Sequence, residues 1–484
     1  MRLATNLSAS VARKIERNQL NAAIIFATLA RPASVAAQTT GPLDAQEESK
    51  ISKMLAAGGV PSISISIVEE NGKTVYAKAL GEASLSPERA ATPQTRYAIG
   101  SISKQFTAAA ILLLAEERKL SLDDTVSKYF PQYTRANEIT IRQLLSHTSG
   151  YEDFAPQDYM IPEWLQPATP DAVLDKWAKK PLDFDPGTKW QYSNTNYVLA
   201  GRIAEKASGM DLMKFLQQKI FAPLKMSTAG DCSVDKTPDD AVAYTRFGLG
   251  PARPALREAP GWYFAAGELC MTPADLARWN ISFLNKKILK PASYEEFSRE
   301  VLLKNGNHTH YALGISLGEL DNIPSLSHGG EVSGFLATNT VYPTRGAAVT
   351  VLSNQDDISL IGPVSREISR YLLEPDTRAA PDAGTPEELQ QVRGIVEGLQ
   401  QGKIERSLFT SNCNFYFNDQ ALQDIQSSLS ALGAVKDIKR TRQSLRGGMT
   451  FRLYHVEFEK KSLLITVYLT PDSNYEQFLP IEEF

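Results

Sequence analysis

Hydrophobic and polar positions alternate without a break over Ser62-Ile63-Ser64-Ile65-Ser66-Ile67-Val68. This period of two predicts a strand with one buried face. Asn71-Gly72 follows, a strong hairpin turn signal, and residues 74–80 read as the returning strand. From Ser101 the period changes. Phe106, Ala109, Ala110, Leu113 and Leu114 recur at helical spacing up to Leu120, apolar enough for a helix at the centre of a core. Helical patterns with Pro and Trp fill roughly 125–300, and strand character returns at 311–317, 336–342 and 347–352. The last two are joined by a turn at Pro343-Thr344-Arg345-Gly346, and a helix over about 358–373 closes this part. Strands at both ends of a helical middle predict one sheet assembled from the two ends, with a helical insertion beside it.

Residues 376–385 are rich in Ala, Asp and Thr, with Pro381 and Gly384 among them, and read as a linker. Thr385-Pro386-Glu387-Glu388 then has the form of a capped helix start with Pro in the first turn. Leu389, Val392, Ile395, Val396 and Leu399 continue it. A second helix is expected over about 421–432, followed by strands near 434–444, 449–459, 462–470 and 474–480, with Gly447-Gly448 as one turn. The expected fold class is α+β. Residues 38–375 form an antiparallel sheet flanked by helices plus a helical subdomain, and residues 386–484 form a small α+β domain with its own antiparallel sheet.

Composition narrows the function classes. Hydrophobic residues make up 43% and charged residues 22% of the 484, ordinary for a folded chain. The net charge of −4, without a block of Lys or Arg, argues against a nucleic-acid partner. No apolar run reaches the roughly 18 residues of a membrane span. The first 37 residues resemble an export signal: Arg2, Arg13, Lys14 and Arg17, then the apolar run from Ala22 to Ala30, then the small residues Ser34-Val35-Ala36-Ala37. A secreted or periplasmic location is the expectation. Three cysteines, Cys232, Cys270 and Cys413, exclude both a disulfide framework and a four-Cys zinc site.

Three short patterns carry chemistry. Ser101-Ile102-Ser103-Lys104 sits at a predicted helix start, where residues three apart share a face, so Lys104 lies beside the Ser101 hydroxyl. Serine needs a base to take its proton, and a lysine half-buried against an apolar helix can have its pKa lowered enough to be one. Tyr192-Ser193-Asn194 offers a phenol to relay a proton and a carboxamide to hold Lys104 or a substrate carbonyl. His328-Gly329-Gly330-Glu331 puts paired glycines at a strand start, where a backbone N–H can join that of Ser101 as an oxyanion hole. Each alone has a bland reading, as a helix cap, a polar turn and a glycine turn.

Together, and in this order, they resemble the Ser-x-x-Lys, Tyr-x-Asn and Lys/His-x-Gly elements of serine β-lactamases and penicillin-binding proteins. Tyr and His in the second and third look most like the branch with class C β-lactamases, D-peptidases and esterases. The segments 144–150, 223–228 and 266–276 also look like recurrent family segments. The resemblance spans roughly residues 50–375 and implies a β-lactamase/transpeptidase-like fold. Carried over, Ser101 is the acylated nucleophile, Lys104 and Tyr192 share the acid and base work, and Asn194 orients them. His328 borders the site where many β-lactamases have Lys, and backbone N–H groups of Ser101 and Glu331, beside Gly330, bind the oxyanion. His in place of Lys removes a cation that would grip a substrate carboxylate, which argues against efficient β-lactam hydrolysis. No metal and no cofactor is implied. The expected partner is a small-molecule or peptide acyl substrate. The competing function is a penicillin-recognising sensor without efficient turnover. The family-like segments around Cys232 and Cys270 also suggest a bridge between them in exported protein. His308-Thr309-His310 reads as an exposed loop rather than a metal site, His147 as part of a loop fold, and Gly248-Leu249-Gly250 lacks the third glycine of a dinucleotide loop.

Overall fold

The computed structural model describes residues 42–43, 45–69, 75–156, 159–246, 251–356, 360–373, 384–446 and 449–482. The expected export signal, the expected Asn71-Gly72 turn, Gly248-Leu249-Gly250, most of the expected linker and Gly447-Gly448 lie outside the described residues.

The alternating segment is the central strand β1 (Ser62–Val68). It pairs antiparallel with β2 (Val75–Leu85) on one side and with the late strand β12 (Ala347–Ser353) on the other. With β3 (Glu88–Ala90), β9 (Ser316–Leu320), β10 (Ile323–Val332) and β11 (Phe335–Tyr342), the sheet runs β3-β2-β1-β12-β11-β10-β9. The two ends of the segment thus build one sheet, as the pattern predicts. One expectation is corrected: all seven positions of β1 are buried, not one face. Helix α1 (Pro273–Leu284) packs on β1, β2 and β12, while α2 (Ile361–Leu372) packs on β11 and β12. Helices over a central strand hide its polar face too. Ser62 is satisfied there by Asn354 Oδ1 at 2.7 Å and the Tyr97 hydroxyl at 2.9 Å. A second correction concerns the paired glycines. They do not open a strand but sit in the second half of β10, paired with Thr338 and Ala337.

The helical middle surrounds the helix Ser103–Glu116, of which eleven of fourteen residues are buried. Phe106 packs on Phe221 and Trp279, and Trp279 Nε1 donates to Gln105 at 2.9 Å. A small sheet of β4 (Tyr97–Ala98), β8 (Leu269–Met271) and β5 (Gly230–Asp231) lies directly before the Ser101 turn. A two-stranded ribbon joins β6 (Tyr244–Thr245) to β7 (Arg253–Pro254). The expected Cys232–Cys270 bridge is not formed: both thiols are free and buried. Gly230 pairs with Cys270 and Cys232 N–H bonds to Glu268 O, so the two cysteines are diagonal across the ladder. Diagonal Cα spacing is roughly 7–8 Å, beyond the about 4.4–6.8 Å of a disulfide. The thiols share a hydrogen bond instead, and burial pushes Cys232 up.

The tail has its own apolar cluster, from Val392 to Phe478, separate from the cluster that runs from Val68 to Leu352. Thr385 caps the helix Pro386–Gln400 by accepting from Glu388 N–H. The helix Asp419–Ser430 and the meander β13 (Val435–Arg446), β14 (Met449–Phe458), β15 (Ser462–Leu469) and β16 (Tyr475–Glu482) complete it. The short helix Ser411–Tyr416 has no counterpart in the pattern reading. Among the described residues, no helix is long and apolar enough to cross a membrane.

Candidate active site

The nucleophile candidate lies where β4 turns into a helix. Gly100 makes the turn at φ +49, a backbone state that favours glycine. A short 3₁₀ turn, Gly100–Ile102, then leads into Ser103–Glu116. The start of this helix is fastened to the segment 265–269 by its own side chains. Leu269 N–H donates to Ser103 Oγ, Lys104 Nζ to Ala266 O and Thr107 Oγ1 to Ala265 O, at 3.2, 2.8 and 2.7 Å.

Lys104 is completely buried, and its Nζ donates to Ser101 Oγ at 2.9 Å, Asn194 Oδ1 at 2.8 Å and Ala266 O. It also stands 4.8 Å from the Tyr192 ring centre. Burial, opposed by the charge of Asp153, lowers its pKa to about 7. Near neutrality a large share of Lys104 is therefore the free amine. Two N–H bonds can then serve Asn194 and Ala266 while the lone pair faces the Ser101 hydroxyl.

Tyr192 hydrogen-bonds to Ser101 as well, and burial raises its pKa, so the phenol keeps its proton. It precedes Ser193, the N-cap of the helix Asn194–Ser208. That helix start is held by the loop after the short helix Ile141–Leu145, itself closed by a Thr140/Gln143 capping box. Tyr197 Oη donates to Leu145 O at 2.7 Å and Ser149 Oγ to Asn196 Oδ1 at 2.6 Å.

On the facing side, β10 meets the nucleophile turn backbone to backbone. A Cβ on Gly330 would stand 1.9 Å from Ile99 O, and one on Gly100 would stand 2.5 Å from Glu331 N. Only glycine permits this approach, which sets the Ser101 and Glu331 backbones at one lip of the cleft. His328 lies one residue before the glycines and is buried. Its Nδ1–H donates to Gly329 O at 2.5 Å, and its Nε2 accepts from Tyr311 Oη at 2.8 Å. Burial and the Lys104 charge lower its pKa to about 4, so it is neutral. Its ring is 6.1 Å from that of Tyr192, but it does not line the cleft.

Ser101, Tyr192, Asn194, Gly330 and Glu331 all line one cleft of about 800 Å³. Trp164, Trp190, Tyr159 and Tyr263 give it an aromatic wall. Asp153, Glu258, Glu331 and Asp356 border it, and no Lys, Arg or His is among its described lining residues.

The family model described as Beta-lactamase matches residues 48–359. The chain belongs to the beta-lactamase family. Protein flp of Staphylococcus aureus (strain N315) is 31% identical over 315 residues, which are 62% of this chain and 61% of that protein. The chain thus spans about three fifths of that relative's length. A D-stereospecific amidohydrolase from Streptomyces sp. is 26% identical, with a TM-score of 0.59 over 68% of this chain and 98% of its own. The octameric penicillin-binding protein homologue from Pyrococcus abyssi shares the fold at 22% identity, with a TM-score of 0.60 over 88% of this chain and 96% of its own. Family membership and these neighbours give the chain the serine β-lactamase fold.

Two further residues stand beside the site candidates: Asp153, which no sequence pattern singled out, and His147, expected only as part of a loop. Asp153, nearly buried, accepts from Asn194 N–H at 2.9 Å. His147, fully buried at φ +59, touches Tyr192. His147 lies inside the family-like stretch 144–150, whereas Asp153 lies three residues beyond it. His308 and His310 flank Glu300 on an exposed loop, and no metal cluster is found among the described residues.

Proposed function

We propose that the chain is an exported serine hydrolase that works through an acyl-enzyme at Ser101. The observation that carries the proposal is the 2.9 Å contact between Ser101 Oγ and a buried Lys104 whose pKa is about 7. Ser101 Oγ attacks the carbonyl carbon as its proton passes to the neutral Lys104 amine. The negative charge on the carbonyl oxygen is taken by the N–H groups of Ser101 and Glu331. When the carbon–nitrogen or carbon–oxygen bond breaks, the proton reaches the leaving group through the Tyr192 hydroxyl. Water then repeats the sequence on the ester at Ser101 and regenerates the serine. Preorganised donors of this kind are usually the largest contribution to acyl transfer.

Amide or ester substrates, such as D-amino-acid peptides or small esters, fit better than β-lactams. His328 is neutral, and carboxylates border the cleft with no cation among its described lining residues. The carboxylates that border the cleft would repel a penicillin carboxylate, whereas they would attract an ammonium-bearing acyl group and leave a neutral one unopposed. Turnover of p-nitrophenyl esters, D-amino-acid amides and nitrocefin by wild type and Ser101→Ala tests this. Hydrolysis of the first two, slow nitrocefin cleavage and loss of all three in Ser101→Ala are expected. A stoichiometric penicillin adduct without turnover of any substrate would instead favour the sensor reading.

A further inference from the structure

The buried ammonium of Lys104 donates to three neutral oxygen atoms: Ser101 Oγ, Asn194 Oδ1 and Ala266 O. The opposing charge comes from one shell further out. Asp153 Oδ1 accepts from Asn194 N–H at 2.9 Å, Ala155 N–H at 3.1 Å and Asn194 Nδ2 at 3.2 Å, and Oδ2 lies 3.4 Å from Asn194 Nδ2. The Asn194 carboxamide is therefore locked one way. Its NH₂ must face the carboxylate, so its oxygen must face Lys104. The reverse orientation would set oxygen against carboxylate and NH₂ against the ammonium.

We propose that Asp153 is a positioning residue for the general base: it fixes the Asn194 oxygen on the Lys104 amine, and its charge opposes release of the lysine proton. The role rests on Lys104 being the base. The other groups that face this pair do not supply the charge. Toward Lys104 these are the Tyr192 and Tyr197 rings, at 4.8 and 5.5 Å, with His147 and His328. Burial keeps both phenols protonated and both imidazoles neutral. Toward Asp153 they are Tyr192 and Tyr263, also raised by burial, and Tyr263 in turn faces Glu258 and Glu331 across the cleft. Burial drives Lys104 down and Asp153 drives it up. Without that carboxylate, burial acts less opposed, and the amine is free at lower pH.

The test is the pH dependence of kcat/KM for p-nitrophenyl acetate, and of Ser101 labelling by a fluorophosphonate. It compares wild type, Asp153→Asn and Asp153→Ser, with thermal melts alongside. Both variants should move the acid limb down by about one pH unit, the lower end of what a nearby opposite charge does. Their plateau should fall through kcat more than KM. An unmoved limb in a folded variant overturns the proposal. So does loss of cooperative melting in both, which would make Asp153 a structural residue. Lys104→Ala separates the two readings. Wild-type rates in it would remove the base assignment itself, whereas an inert Lys104→Ala beside an unmoved limb in Asp153→Asn would remove only the role of Asp153.

Discussion

His147 holds Tyr192 from both flanks. Its carbonyl accepts Gln191 N–H at 3.0 Å, its Nδ1 accepts Ser193 N–H at 3.1 Å, and its ring lies 4.3 Å from the Tyr192 ring at 36°. Nδ1 accepts, so the proton is on Nε2, and burial keeps the imidazole neutral. His147 is thus part of a loop, as its sequence context suggests, yet that loop sets the place of the Tyr192 phenol beside Ser101.

His147→Ala removes the side-chain half of this hold and leaves the backbone half. A misplacement of about 1 Å can cost 10²-fold, so kcat for p-nitrophenyl acetate should fall by roughly 10- to 100-fold with KM nearly constant. His147→Asn, whose Oδ1 can take the Ser193 N–H, should recover part of the loss. In a Tyr192→Phe background His147→Ala should add little. Full multiplication of the two effects would show that His147 does not act through Tyr192.

Acylation should depend on pH through Lys104. The ammonium cannot accept the Ser101 proton, so the rate should rise as pH passes through about 7, the lowered pKa of Lys104, and level off above it. His328 titrates near 4 and should leave no inflection in that range. Lys104→Ala and Tyr192→Phe should each lower the acylation rate by about 10² or more, and the double variant by far less than the product, because both serve one proton path. Stopped-flow acylation against pH reads all of this. A rate that is flat from pH 5 to 9 would contradict a lysine base.

The two adjacent glycines of β10 should behave differently. A Cβ on Gly329 would meet nothing nearer than Ala337 O at 3.8 Å, whereas one on Gly330 would strike Ile99 O at 1.9 Å. Gly329→Ala should keep near wild-type esterase activity. Gly330→Ala must push β10 away from the Ser101 turn, with a loss of about 10²–10³ in kcat, the scale of removing one oxyanion donor. Equal rates in the two variants would mean that the contact does not shape the site.

The large sheet was legible because its evidence is local. β11 and β12 announce themselves by period and by the turn at 343–346, and the strand and helix patterns alternate in the right order. Burial of Ser64 and Ser66 was not legible, since it depends on the helices that cover the sheet, Pro273–Leu284 and Ile361–Leu372, whose starts lie more than 200 residues away. The chemistry split in the same way. Ser101 and Lys104 are three apart on one helix start, so spacing alone brings them together. Asp153 and His147 act through Asn194 and Tyr192, over forty residues away, and an isolated acid or imidazole in a loop carries no period. The diagonal offset of Cys232 and Cys270 is a matter of ladder register, which neither cysteine's position in the sequence reveals.

The last prediction concerns the tail. Ser101, Lys104, Tyr192, Asn194 and Gly330 all precede the helix Ile361–Leu372, and the apolar cluster beneath them runs from Val68 to Leu352 without a member from the tail. The tail's cluster, Val392 to Phe478, likewise draws on no residue before it. Each part therefore has a separate core, which is the condition for a part to fold alone. A chain ending at Asp376 should melt cooperatively, bind a fluorophosphonate at Ser101 and hydrolyse p-nitrophenyl acetate within a few-fold of the full-length rate. D-Amino-acid amides and longer peptides, which fill more of the cleft, test whether the tail bears on substrate size: a change for these alone would assign it to selection rather than catalysis. An insoluble truncated chain, or one inert to the small ester, would show that the two cores depend on each other and that the linker at 376–385 is not a domain boundary.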